Sequence, residues 1–82
     1  MHALAGLTRA AAAEFAAFNV RVNAVVPGPL QGDLIPSAKP SAQVPLGRAE
    51  DVASGVIFLC SRAADYLTGQ VIAIDGGLSV HY

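Results

Sequence analysis

Cysteine, tryptophan and charged residues are scarce in this chain of 82 residues: one residue is cysteine, none is tryptophan and 13% are charged. The lone cysteine, Cys60, cannot close a disulfide within the chain, and no Cys/His pair stands at metal-ligand spacing. A disulfide-stapled scaffold and a zinc module are therefore excluded. We expect no metal site and a reducing, cytoplasmic setting.

The charge pattern and the alanine-rich start exclude a nucleic acid partner and a targeting or membrane-spanning segment. Its five basic residues are scattered without aromatic residues between them and its net charge is -1, so no nucleic acid partner is predicted. The alanine-rich start carries Glu14 and is interrupted by Arg9 and Asn19, which is typical of neither a signal peptide nor a membrane span.

Apolar residues are abundant, at 54% of the chain. That share is too high for a disordered polypeptide, and the length supports one domain over residues 1–82. A domain of this size buries only about two-thirds of the surface that its unfolded chain exposes. The composition therefore indicates apolar surface that something outside this chain covers.

The first part of the chain predicts a helix that runs directly into a strand. Apolar residues recur at spacings of three and four from Ala3 to Phe18, and Asn19 tolerates the left-handed conformation that ends a helix. The apolar stripe, expected to be core, consists of Leu4, Leu7, Ala11, Phe15 and Phe18. Alternation over residues 20–26 then predicts a strand that stops at Pro27.

The second part predicts a loop, a helix and a buried strand. All five prolines fall between residues 27 and 45, which indicates a loop. A helix begins near Ala49, with Glu50 and Asp51 in its first turn. Its apolar face is formed by Val52, Val56 and Leu59, widened by Ala53, Ile57 and Cys60. "QVIAID", residues 70–75, predicts a strand.

The order helix, strand, loop, helix, strand predicts an α/β fold in which both strands are parallel and joined by a right-handed crossover. Two strands leave unpaired edges and bury too little area to be stable alone. We therefore expect both strands to belong to a larger sheet.

Four stretches together resemble one family: "HALAGLTRAAAAEF", "VRVNAVVPGPL", "PLGRAEDVASGVIFLC" and "YLTGQVIAIDGG". They are similar, in order and over nearly the whole chain, to the C-terminal part of the short-chain dehydrogenases/reductases, in particular the 3-oxoacyl-[acyl-carrier-protein] reductase branch. The resemblance implies a Rossmann-like doubly wound parallel sheet that binds NAD or NADP, of which this chain is the C-terminal part.

The resemblance also implies where the family's chemistry lies. The family uses a catalytic Tyr, Lys and Ser and a Gly-rich pyrophosphate loop, all upstream of the matching stretches, with Met1 standing where that Lys would be. No catalytic residue is therefore predicted in this chain. The implied function is hydride transfer to a carbonyl or from an alcohol in the complete enzyme, and inactivity of this chain alone.

The residues that the resemblance assigns to the cofactor are Pro27, Gly28, Pro29 and Leu30, beside the nicotinamide. Fixed proline φ values make a stiff wall there, and glycine lets a ring approach the backbone. Gly32 stands where the family often has a cofactor-contacting Thr, and the loop "QGDLIPSAKPSAQ" is shorter than the family's substrate loop. The alanine-rich helix and the final strand build subunit interfaces in the family, which implies a homo-oligomer or association with a related subunit.

Several single residues have a structural interpretation beside a chemical one. His2 and His81 lack a partner at motif spacing and are expected to be surface imidazoles; Cys60 is expected to be core. Asp75 is expected to form a turn with Gly76 and Gly77, and Arg48 a salt bridge near the second helix.

The alternative functions are a non-catalytic oligomerisation module and a truncated product without an independent role.

Overall fold

The computed structural model describes residues 2–32 and 46–80, so the predictions for the loop between 33 and 45, for Met1 and for His81 lie outside the described residues. Its main elements are helix α1 (His2–Phe15), strand β1 (Ala24–Pro27), helix α2 (Ala49–Leu59) and strand β2 (Val71–Ile74). Short 3₁₀ helices follow α1, α2 and β2, at Ala16–Phe18, Arg62–Ala64 and Leu78–Val80. The predicted order of helices and strands is confirmed.

The first helix ends as its sequence indicates. Asn19 has φ 58° and ψ 36°, the left-handed conformation, and its N–H donates to the Ala16 carbonyl over 3.1 Å. Asparagine adopts this conformation more readily than other residues with a Cβ. The turn redirects the chain from the helix toward β1, and the predicted helix end is confirmed.

The two strands pair in parallel, with Ala24 opposite Val71 and Pro27 opposite Ile74. The Ala24 N–H donates to the Gln70 carbonyl (2.9 Å) and the Gly28 N–H donates to the Ile74 carbonyl (3.1 Å). Because backbone groups alternate in direction along a strand, Val25 directs its N–H and C=O to the other edge of β1. Within residues 2–32 and 46–80 the sheet has two strands, and no third strand pairs with either edge.

Polar side chains connect the start of β1 to the loop before β2. The Asn23 amide nitrogen donates to the Leu67 carbonyl (3.0 Å), and its oxygen accepts from the Gln70 N–H (3.1 Å). The Val22 N–H donates to the Thr68 hydroxyl oxygen over 3.0 Å. The predicted strand over 20–26 is therefore wrong in its first half: residues before Ala24 bond to this loop rather than to a strand partner.

The buried part of the structure is small. Among the residues whose burial the structure describes, Thr8, Ala12, Leu59 and Ala64 are buried. The predicted core stripe of α1 is wrong, since Leu7 is 69% exposed and Phe18 is 71% exposed. The reason is orientation: α1 turns Thr8 and Ala12 inward, and none of the described elements covers the stripe.

Helix α2 approaches the sheet closely at Gly55. A side chain on Gly55 would meet the end of the Ile74 side chain, so this glycine permits close contact between α2 and β2. Leu59 is buried and Val52 half-buried, but Cys60 is exposed. The prediction that Cys60 is a core residue is wrong, because its side of α2 faces no other described element closely enough to cover it.

The conformation of Asn19 gives a test of the helix end. We expect Asn19→Gly to leave the free energy of unfolding unchanged or slightly higher, because glycine adopts positive φ freely. Asn19→Val should lower it by about 1–2 kcal/mol, because a branched side chain clashes with the backbone there. Urea denaturation followed by circular dichroism measures both; equal stability of the two variants would contradict the assigned conformation.

Candidate functional site

A cleft of about 280 Å³ opens at the carboxyl ends of the two strands. Parallel sheets direct the ends of their strands to the same edge, which is where open α/β folds place ligands. The cleft is lined by the segments after β1 and β2 and by the start of α2, namely Gly28, Pro29, Leu30, Leu46, Gly47, Asp51, Val52, Ile74, Asp75 and Gly76.

Three of the four predicted cofactor residues lie on this cleft. Gly28, Pro29 and Leu30 form one wall, whereas Pro27 is exposed at the end of β1 and does not line it. The wall is attached to the segment before α2 by two backbone hydrogen bonds. The Gln31 N–H donates to the Gly47 carbonyl (2.8 Å), and the Gly47 N–H donates to the Pro29 carbonyl (3.0 Å).

Gly28 is packed directly on the residue that ends β2. A Cβ on Gly28 would lie 2.8 Å from the Asp75 Cβ and 2.9 Å from the Asp75 Cα. Gly28 does not have positive φ, so the requirement for glycine is space rather than conformation. This contact determines how closely the two sides of the cleft approach each other.

Asp75 holds a tight turn, as its sequence context indicates. Its carboxylate accepts hydrogen bonds from the Gly77 N–H (2.9 Å) and the Ser79 N–H (3.1 Å). A hydrogen bond from the Ser79 side chain is the main cause that lowers the pKa of Asp75, and partial desolvation opposes it. Gly76 and Gly77 have φ 66° and 90°, which only glycine adopts easily. The structural interpretation of Asp75 is confirmed.

The start of α2 supplies the remaining wall. The Asp51 carboxylate accepts from the Arg48 N–H over 2.8 Å, which stabilises the first turn. The Arg48 and Glu50 side chains approach to 3.9 Å, with 67% and 77% of their surfaces exposed. The ion pair predicted for Arg48 is present, and pairs this exposed contribute little to stability.

The ionisable side chains that line the cleft are already engaged in hydrogen bonds within the chain. The cleft has two ionisable side chains, Asp51 and Asp75, and both already accept hydrogen bonds from backbone N–H groups. Among the described residues no group of three or more His, Cys, Asp or Glu could hold a metal ion. His2 is exposed on α1 and does not line the cleft.

Sequence reasoning missed the residues that α2 and its preceding segment bring to the cleft, chiefly Leu46, Gly47 and Val52. The glycine at position 47 was the one sign in the sequence of a close contact there. In the structure a Cβ on Gly47 would lie 3.2 Å from the Leu30 side chain. None of the helices in the described ranges combines the length and hydropathy needed to cross a bilayer.

Alanine substitutions at two glycines, Gly28 and Gly6, test the close contact between Gly28 and Asp75. We expect Gly28→Ala to lower the free energy of unfolding by about 1–3 kcal/mol, because its Cβ would overlap atoms of Asp75 that cannot rotate away. Gly6→Ala adds the same methyl group on α1, where nothing lies within 4 Å, and should raise stability by about 1 kcal/mol. Equal effects in urea denaturation would contradict the geometry.

Comparison with known proteins gives consistent matches over almost the whole chain. The family model described as "Enoyl-(Acyl carrier protein) reductase" matches residues 1–79. The chain is 45% identical over 87 residues to the uncharacterized oxidoreductase YohF of Escherichia coli (strain K12), covering 93% of this chain and 34% of that protein. It is 44% identical over 84 residues to 3-oxoacyl-[acyl-carrier-protein] reductase FabG of Aquifex aeolicus (strain VF5), covering 92% and 34%.

A solved structure supports the same assignment. A blue fluorescent protein from a metagenomic library, in complex with NADPH, superposes with a TM-score of 0.82 at 32% identity, covering 95% of this chain and 35% of that one. This chain therefore spans about a third of the length of the relatives that it matches.

The lengths of the aligned stretches differ. The alignment to YohF runs over 87 positions and includes 93% of the 82 residues here, about 76, so about 11 of its positions have no counterpart in this chain. The family match, the relatives and the superposed structure together confirm the predicted resemblance and the α/β fold: this chain belongs to the short-chain dehydrogenase/reductase family.

Proposed function

We propose that this chain forms the C-terminal part of an NAD(P)-dependent oxidoreductase that transfers hydride between a nicotinamide and a carbonyl or alcohol. The observation that carries the proposal is the cleft at the carboxyl ends of β1 and β2, walled by Gly28, Pro29 and Leu30. Open α/β sheets bind nucleotides in this place. The relative in complex with NADPH supports the class of cofactor.

The size of the cleft fits one end of such a cofactor. Complete small-molecule sites usually enclose about 300–1,000 Å³. At about 280 Å³, this cleft has room for a nicotinamide ring but not for a dinucleotide. The backbone of Gly28 to Leu30 would border the ring, with Pro27 stiffening the approach from β1. When bound, the nicotinamide supplies or accepts the hydride.

Proton transfer must come from elsewhere in the complete protein. Reduction of a carbonyl needs a proton donor at the developing alkoxide. Asp75 is the wrong kind of group, because its hydrogen bonds lower its pKa and keep it ionised near neutral pH. We therefore propose that the catalytic Tyr, Lys and Ser and the pyrophosphate loop belong to the other two-thirds of the fold, and that this chain alone is inactive. Cytoplasm is the compartment we propose.

A second candidate function is favoured by one observation. Large apolar side chains are exposed on α1, on the 3₁₀ helix that follows it and on α2, among them Leu7 (69%), Phe18 (71%) and Ile57 (69%). Surfaces of this kind occur at interfaces between protein chains. The chain would then act as an oligomerisation module that associates with itself or with a related subunit, without catalysis.

A chimera tests the enzymatic proposal. We expect the 82-residue chain alone to show no saturable NADPH binding by fluorescence titration at micromolar concentration. Fused after the N-terminal two-thirds of the Aquifex aeolicus FabG, which matches this chain at 44% identity, it should oxidise NADPH in the presence of a 3-oxoacyl thioester. The same N-terminal part without this chain is the control. A correctly folded chimera without activity, or saturable binding by the chain alone, would contradict the proposal.

Sedimentation equilibrium tests the oligomerisation module. We expect concentration-dependent association that Leu7→Glu weakens at least tenfold, because the change places charge in the exposed apolar stripe of α1. Ala13→Glu adds the same charge at another exposed position of α1 and should have little effect. A wild-type chain that remains monomeric at all concentrations would argue against this candidate.

A further inference from the structure

The segment from Pro27 to Pro29, which ends β1 and begins the wall of the cleft, has only one backbone donor. Pro27 and Pro29 have no N–H, so the Gly28 N–H is the single backbone donor between residues 27 and 29. It donates to the Ile74 carbonyl over 3.1 Å. The Ile74 carbonyl of β2 therefore accepts the hydrogen bond that holds this segment to the sheet.

The same segment has a second contact with the residue after β2. Gly28 lies so close to Asp75 that a Cβ would be 2.8 Å from the Asp75 Cβ. The prolines on either side of Gly28 restrict φ, so the segment responds to displacement as a stiff unit. A shift of the Asp75 backbone would consequently move Gly28 and, with it, Pro29 and Leu30.

Asp75 is itself held by the residues that follow it. Its carboxylate accepts from the Gly77 N–H (2.9 Å) and the Ser79 N–H (3.1 Å), and its carbonyl accepts from the Leu78 N–H (3.2 Å). These three bonds link the position of the Asp75 backbone to the turn formed by residues 75–79. Hydrogen bonds to a charged group are stronger than those between neutral groups.

We propose that Asp75 is a positioning residue for the cleft: by holding the turn over residues 75–79, its carboxylate sets the place of Gly28, Pro29 and Leu30. The consequence for a bound nicotinamide rests on the proposed function. The coupling between Asp75 and Gly28 does not, because it concerns contacts within this chain.

Amide hydrogen exchange on the isotope-labelled 82-residue chain tests the coupling. In Asp75→Asn we expect exchange at the Gly28 amide to accelerate about fivefold to tenfold, because one hydrogen bond from the turn is lost. In Asp75→Ala, which loses both carboxylate bonds, the acceleration should be larger. Exchange at the Ala12 amide in α1 should change less than twofold in both variants.

Asp65→Asn is the matched control, because Asp65 is an exposed acid that does not line the cleft. It removes the same charge and should leave the Gly28 amide unchanged. Equal acceleration at Gly28 and Ala12 would overturn the proposal, since it would mean a general loss of stability. Unchanged exchange at Gly28 in Asp75→Ala would overturn it too, as would a wild-type Gly28 amide that exchanges as fast as in an unfolded chain.

The two proposals fail separately. A chimera that oxidises NADPH, combined with unchanged Gly28 exchange in Asp75→Ala, would refute the positioning role alone. Accelerated Gly28 exchange in a chain whose chimera is folded but inactive would refute the enzymatic function alone.

Discussion

The parallel pairing of β1 with β2 is the contact on which the described structure depends. Each strand has four residues, and the pairing joins segments that are far apart in the chain. So short a ladder needs support from its surroundings. Asn23 and Thr68 supply it at one end through hydrogen bonds between the start of β1 and the loop before β2. Gly55 supplies it on one face by letting α2 contact Ile74.

The cleft is a result of this pairing. Gly28 and Asp75 each follow the last residue of a strand, so the register that places Pro27 opposite Ile74 also brings these two residues into contact. The segment after Gly28 then reaches the start of α2 through its hydrogen bonds with Gly47. One register therefore determines the position of both walls, and a slip by one residue would separate them.

The chain is rich in apolar residues yet buries few of them, and the proposed function explains both facts. Half of the residues are hydrophobic, yet within the described ranges only Ala12, Leu59 and Ala64 are buried apolar residues. A lone domain with this composition would normally bury its large side chains. The remaining part of the family fold, or a second subunit, would cover the stripe of α1 and the exposed side of α2.

Local signals in the sequence determined the elements. The charged first turn at Ala49, the asparagine at position 19 and the apolar run before Asp75 each act through nearby residues, and each element is where these signals predict it. The end of β1 at Pro27 was also recognisable, because proline and glycine restrict or free the backbone whatever surrounds them. Only the tertiary structure decided which residues are buried, that β1 begins at Ala24 rather than Val20, and that Gly28 contacts Asp75. Burial and contact depend on which surfaces meet, and a spacing of apolar residues does not say whether any surface lies opposite them.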